Sequence, residues 1–276
     1  MADPFIIMCA PNGARRSKTD HSKIPLTATE LADCAEEILA AGASILHLHV
    51  RDNDGGHTLS VEKYREAISA IKDRVGDKLV IQVTSEAVGI YSRDQQIDMV
   101  KTLKPEAVSL ALREICPDPR FDDEAYDFFC WMQNQNVFPQ IILYDEEDAQ
   151  RFESMRRANV FSTSKPFVLC VLGKYTDPKG RVPAPSVAVE LTVFADIFNP
   201  AGVPWAACAF GENEHRLAAE VLRLGGHVRV GFENNVSSQN GGLATDNAEL
   251  VGAASRVAKA TGHAIASAQN VRDRFK

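Results

Sequence analysis

Eight short apolar runs, eight amphipathic stretches alternating with them, and no Pro/Gly/Ser-rich linker predict an α/β fold: one (β/α)8 TIM barrel, a single domain over residues 1–276. Strict alternation demands parallel strands joined by crossover helices, and eight such units can close on themselves. An open doubly wound sheet is the competing arrangement. It would carry a glycine-rich GxGxxG turn after its first strand, where this chain has PNGARR at 11–16.

The first strand is expected at 5–10 (FIIMCA). A helix follows at 27–41, opened by Thr27 and Glu30 as a capping box and stopped by Gly42. The next strands fall at 44–50 (SILHLHV), 79–84 (LVIQVT) and 107–111 (AVSLA), with helices at 60–75, 92–103 and 122–135 between and after them. The last four strands are read at 138–143 (FPQIIL), 167–171 (FVLCV), 205–209 (WAACA) and 227–231 (HVRVG). Their helices are read at 146–158, 186–196, 213–224 and 244–260. The runs lack the polar alternation of a half-exposed sheet, as strands covered on both faces do. Residues 172–185 (LGKYTDPKGRVPAP) fall where a barrel carries a long βα loop.

The charge balance narrows the partners. Thirty Lys and Arg stand against 37 Asp and Glu, a net charge of −7, with no basic cluster. Nucleic-acid binding, which needs several cations on one face, is not expected. No apolar run approaches the roughly 18 residues of a membrane span. Asp3 and Pro4 stand where a signal peptide would carry positive charge, so a cytoplasmic protein is expected. The six cysteines are scattered without a CxxC pair and read as reduced and mostly buried.

Barrel chemistry sits at the C-terminal ends of the strands. The second strand ends in HLHVRD (47–52), and residues two apart on a strand project the same way. His47 and His49 therefore make half of a site for Zn²⁺ or a similar divalent ion, or else a pair of hydrogen-bonded core histidines. In the eighth strand Arg229, Gly231 and Glu233 share one direction. Glu233 is either the third ligand, leaving positions open as a catalytic site requires, or the partner of Arg229 in an internal ion pair. Asn12, Arg15 and Arg16 after strand one, Thr84, Ser85 and Glu86 after strand three, and Arg113 and Glu114 after strand four offer groups for substrate oxygens. His21, His57, His215 and His263 show no partner and are read as surface residues.

These segments carry a resemblance. IPLT (24–27), AGASILHLHVRDNDG (41–55), EAISAI (66–71), IQVTSEAVG (81–89), KPE (104–106), NVFP (136–139), VLG (171–173) and GGHVRVGFENN (225–235), together with the PNGA turn, resemble the β-keto acid cleavage enzyme family (3-keto-5-aminohexanoate cleavage enzyme-like). The resemblance implies a Zn-dependent TIM barrel, usually a homotetramer, that condenses a β-keto acid with acetyl-CoA to give acetoacetate and a new acyl-CoA. It implies His47, His49 and Glu233 as metal ligands, Arg229 as catalytic arginine, and Thr84 and Ser85 as hydroxyls for the substrate carboxylate. The alternatives are a metal-dependent C–C lyase or aldolase without CoA, and a weakened barrel that binds metal and ligand only.

The sequence departs from the family pattern at three points. Asn234 stands where an aspartate belongs to the proton-transfer set, and it cannot act as a base. The fifth strand reads Pro139-Gln140-Ile141-Ile142, without its usual glutamates, so either Glu86, Glu114 or Asp145 substitutes or the proton chemistry differs. Arg15 stands where the resemblance places an acid that reads an ammonium, which implies a neutral or anionic tail such as that of a β-keto diacid.

Overall fold

A computed structural model of the chain describes residues 3–161, 166–173 and 187–275. Eight parallel strands close into a barrel in the order β1 (Ile7–Cys9), β10 (His227–Val230), β9 (Trp205–Ala209), β8 (Phe167–Leu172), β7 (Phe138–Leu143), β6 (Ala107–Ala111), β5 (Val80–Thr84) and β2 (Ile45–Leu48). The remaining strands, β3 (Val50–Arg51) and β4 (His57–Thr58), form a small antiparallel ribbon just beyond β2. Helices α1 (Ala28–Ala41), α2 (Val61–Val75), α3 (Arg93–Leu103), α5 (Asp122–Asn134), α6 (Glu146–Arg157), α7 (Val187–Ala201), α8 (Glu214–Arg223) and α9 (Asn247–Ala260) are the expected crossovers. The sequence did not signal the one-turn α4 (Leu112–Ile115), the ribbon or α10 (Ala268–Phe275). Most of the long loop expected at 172–185 lies outside the described residues.

Local chemistry explains where the first helix begins and ends. Thr27 accepts from the Glu30 N–H while the Glu30 carboxylate accepts from the Thr27 N–H, and Gly42 adopts the left-handed conformation at φ 113°. The outer apolar faces of the strands pack beneath the helices in one large core. A second apolar cluster fills the barrel interior, with Ile6, Ile45, Val80, Phe138 and Phe167 among its members. Helix α10 closes that end: Phe275 stacks on Phe138 at 4.7 Å and on Phe167 at 4.6 Å. These rings plug the N-terminal mouth of the barrel. Among the described residues, no helix is long and apolar enough to cross a membrane. All six cysteines are free, and five of them are buried.

His227, at the plugged end, makes a clean test of the packing. Its Nδ1 accepts from the Ile6 N–H, and Arg274 lies 3.1 Å from its Nε2. Burial, reinforced by the Arg274 charge, pushes its pKa down to about 3. A folded-state pKa below the unfolded value of about 6.5 means that the unfolded chain takes the proton first, so this stability is present above pH 6.5 and lost on acidification toward 3. Urea unfolding between pH 6 and 4 should therefore show a steeper loss in the native chain than in His227→Gln, by about 1.4 kcal/mol per pH unit. Parallel stability curves for the two proteins would refute this.

Candidate functional site

Strand alternation determines what enters the barrel. On β2 and just past it, His47 and His49 face inward, both essentially without solvent exposure. Closure of the barrel brings the end of β10 beside β1 and so one strand away from β2. Glu233 thereby reaches the histidines: its Oε2 lies 3.3 Å from His49 Nε2 and 3.6 Å from His47 Nε2, and the two Nε2 atoms are 3.2 Å apart. The other carboxylate oxygen, Oε1, accepts from Arg229 Nη2 at 3.1 Å. Ligand geometry and ion pair, alternatives in the sequence, thus coexist on the two oxygens of one side chain.

Backbone contacts hold Glu233 against these groups. Its N–H donates to Ala10 O, and Gly13 passes so close that a Cβ there would lie 2.5 Å from Glu233 Cγ. Gly13 also has φ +64°, so glycine answers both the conformation and the space. Asn12 braces the same corner by donating Nδ2 to Pro25 O and His49 O. Arg51 secures the turn through Nη2 to the carbonyls of Gly13 and Arg16.

These three side chains suit a divalent cation. A tetrahedral site with bonds of about 2.0–2.2 Å has ligand–ligand edges of about 3.3–3.6 Å, close to the observed triangle. Burial, with the Arg229 charge, pushes the His47 pKa down to about 3, which keeps the ring neutral and able to coordinate. Burial works to raise the Glu233 carboxyl, yet the Arg229 guanidinium beside it holds it well below the usual carboxylate range. Two imidazoles and one carboxylate leave the remaining coordination positions open. Among the described residues, no other group of three His, Cys, Asp or Glu side chains converges in this way.

A cavity opens over the triangle. Its polar wall consists of His47, Thr84, Glu86, Ser109, Arg229 and Glu233, and its apolar wall of Ala111, Ile142, Tyr144, Val171 and Phe210. Thr84 accepts from the Glu86 N–H through Oγ1, and its own carbonyl is held by the Tyr64 hydroxyl. Ser109 Oγ and Arg229 Nε are buried, with no hydrogen-bond partner among the described residues. Arg15, at the mouth, is paired with Glu86 at 3.2 Å; the arginine side chain is 62% exposed and the glutamate 14%.

The other expected site residues stand apart from this cavity. Ser85 donates Oγ to Ser109 O, because its neighbour Thr84 takes the inward direction at the end of β5. Arg113 belongs to α4 and pairs with Asp145 and Asp148 while lying over the Tyr144 ring. Glu114 accepts from the Ala87 N–H. Asn234 is wholly buried with both amide atoms unpartnered among the described residues, and it does not line the cavity. Two histidines correct the surface reading. His57 is buried in the ribbon with Nε2 2.8 Å from Glu86 O, and His21 is buried with Nε2 2.8 Å from Ala244 O.

Sequence reasoning passed over Gln82, Gln140 and Ser109, each a polar residue inside an apolar strand. That was the signal already used for Arg229. Gln82 Oε1 lies 2.9 Å from His47 Nδ1.

A family model described as beta-keto acid cleavage enzyme matches residues 4–276. The chain is 32% identical over 281 residues to the 3-keto-5-aminohexanoate cleavage enzyme of Fusobacterium nucleatum subsp. nucleatum, covering 99% of this chain and 97% of that one. It is 24% identical over 276 residues to the 3-oxoadipate:acetyl-CoA acetyltransferase of Cupriavidus necator, covering 99% and 94%. Among solved structures, the binary complex of ObcA with oxaloacetate shares the fold at a TM-score of 0.71 and 16% identity, covering 92% of this chain and 67% of that one. With a match running from residue 4 to residue 276, through every barrel strand and the His47/His49/Glu233 triangle, the chain belongs to the beta-keto acid cleavage enzyme family.

Proposed function

We propose that this chain is a metal-dependent transferase that condenses a β-keto acid with acetyl-CoA, releasing acetoacetate and the acyl-CoA of the remaining fragment. Atoms balance: the two-carbon carboxymethyl unit passes to the acetyl group, and the acyl remainder passes to the thiol of CoA. The observation that carries this reading is the His47/His49/Glu233 triangle beneath a cavity lined with unpartnered donors. Zinc is the proposed metal, and Mn²⁺, Co²⁺, Ni²⁺ and Fe²⁺ suit the same donors. When bound, it supplies Lewis-acid polarisation of the keto oxygen.

The chain's own groups do the rest. Ser109 Oγ and the Thr84 hydroxyl face the cavity and are assigned to the substrate carboxylate. Arg229, buried and aimed into the cavity, is assigned to the negative charge that develops on the reacting oxygens. Apart from Glu233, the one carboxylate in the wall among the described residues is Glu86, and it is the proposed base. Asn234, wholly buried and not among the residues that line the cavity, takes no proton. The homotetramer, the cytoplasmic location and the single-domain organisation implied by the sequence belong to the same proposal.

Substrate choice follows from the mouth. Arg15 occupies Glu86, so that carboxylate is compensated rather than left for an ammonium. A β-keto diacid or a neutral-tailed acid is the proposed substrate. Arg15→Glu should move kcat/KM toward an amino-substituted β-keto acid by at least about tenfold, because like charges facing each other cost affinity.

The test is acetoacetate release from a panel of β-keto acids, with and without acetyl-CoA, on protein of known metal content. Release that depends on acetyl-CoA supports the proposal. Cleavage that proceeds without acetyl-CoA would favour a lyase, and ligand binding with no release would favour a binding barrel. Reaction of cationic β-keto acids alone would overturn the assignment of Arg15.

A further inference from the structure

Barrel interiors are filled in layers, each drawn from alternate strands and normally built of branched aliphatic side chains. One layer here breaks that rule. Met8 comes from β1, the first barrel strand, Gln82 from β5, the third, and Gln140 from β7, the fifth. All three are without solvent exposure. Two primary amides in an apolar layer are costly unless each finds partners, and these two find each other. Gln82 Nε2 donates to Gln140 Oε1 at 3.1 Å, and Gln140 Nε2 points at Met8 Sδ at 3.5 Å. At the other end Gln82 Oε1 faces His47 Nδ1 at 2.9 Å.

The chain of bonds has a direction, imposed by its far end. A thioether carries no proton and can only accept. Gln140 must therefore turn its NH₂ to Met8, which leaves its carbonyl oxygen for Gln82. Gln82 must then donate to Gln140 and present its own carbonyl oxygen to His47. A neutral imidazole facing an acceptor at Nδ1 carries its proton there, so Nε2 keeps the lone pair. The opposite orientation would turn both amides over. It would set the Gln140 oxygen against the sulfur lone pairs and put the His47 proton on Nε2, toward His49 Nε2 at 3.2 Å and Glu233 Oε2 at 3.6 Å.

We propose that Met8, Gln140 and Gln82 form a one-way amide relay that fixes His47 as its Nδ1–H tautomer and so holds the Nε2 lone pair toward the metal position. Gln82 and Gln140 are positioning residues and touch no substrate. The relay deepens the reading of His47 as a metal ligand and rests on it for its purpose, but the tautomer can be measured without any metal.

The experiment uses the full chain with ¹⁵N-labelled histidine, made metal-free. Long-range ¹H–¹⁵N correlation reads which nitrogen of His47 carries the proton, with the signal assigned by its loss in His47→Gln. The native chain should show Nδ1–H. Gln82→Leu should show Nε2–H or a mixture, and zinc affinity, measured by competition with a chelator, should fall about 10- to 100-fold, as for other groups that orient a ligand from behind. Gln140→Leu frees Gln82 to turn over and should shift both readouts in the same direction by a smaller amount. Gln82→Glu keeps an acceptor at Nδ1 and should retain the native tautomer. A merely structural role would lower the melting temperature and leave the tautomer alone. An Nε2–H tautomer in the native metal-free chain overturns the relay, as does native tautomer and native zinc affinity in both leucine variants. A native chain that binds no zinc would overturn the metal reading, and the tautomer in the same sample would still decide the relay.

Discussion

His49→Ala is expected to reduce bound zinc from about one per chain to near none and to lower acetoacetate release by at least about a thousandfold, the order expected when several kcal/mol of charge stabilisation are lost. His49 stands at the centre of the triangle, with Nε2 3.2 Å from His47 Nε2 and 3.3 Å from Glu233 Oε2. Its removal leaves one imidazole and a carboxylate already shared with Arg229. Two ligands do not hold a catalytic zinc against water and buffer. The ring is buried against His57, so a cavity forms as well, and circular dichroism must accompany the metal analysis. Zinc retained at the native ratio in folded His49→Ala would refute the site.

Arg229→Ala is expected to behave in the opposite sense: metal near one per chain at saturating zinc, with kcat lower by about 10²- to 10³-fold, the range seen when a donor to developing negative charge is removed. The guanidinium is buried, bonded through Nη2 to Glu233 Oε1 and to Cys208 Sγ, with Nε unpartnered among the described residues. Deleting one member of a buried ion pair leaves the other uncompensated and costs about 3–5 kcal/mol of stability. Bound metal would supply part of the missing positive charge, so the stability loss should be smaller in zinc-loaded protein than in metal-free protein. Turnover near the native value in zinc-replete Arg229→Ala would remove the arginine from the reaction.

The strand list and most helix limits were legible because buried parallel strands read as uninterrupted apolar runs, and because caps such as Thr27, Glu30 and Gly42 are local chemistry. Helix α10 was not, because its role depends on Phe275 meeting Phe138 and Phe167 across the barrel floor. The assignment of both Thr84 and Ser85 to substrate went against strand parity. Adjacent residues on a strand point to opposite faces, and only Thr84 lines the cavity. Arg113 shows another limit: nothing in its neighbourhood of sequence reveals that Asp145 and Asp148, from the next βα unit, neutralise it. Gln82 and Gln140 were visible all along as polar residues inside apolar strands.

By itself, the sequence determined the barrel and the common direction of His47 and His49, since both follow from periodicities of 2 and 3.6 residues that need no knowledge of distant segments. It also marked Arg229 and Glu233 as charges too costly to bury without purpose. Only the tertiary structure decided that one oxygen of Glu233 faces the histidines while the other binds Arg229, that Ser109 and not Ser85 enters the cavity, and that Glu86 answers to Arg15. Those relations depend on barrel closure, which sets the register between strands far apart in the chain and so assembles a ligand triangle that no local rule specifies.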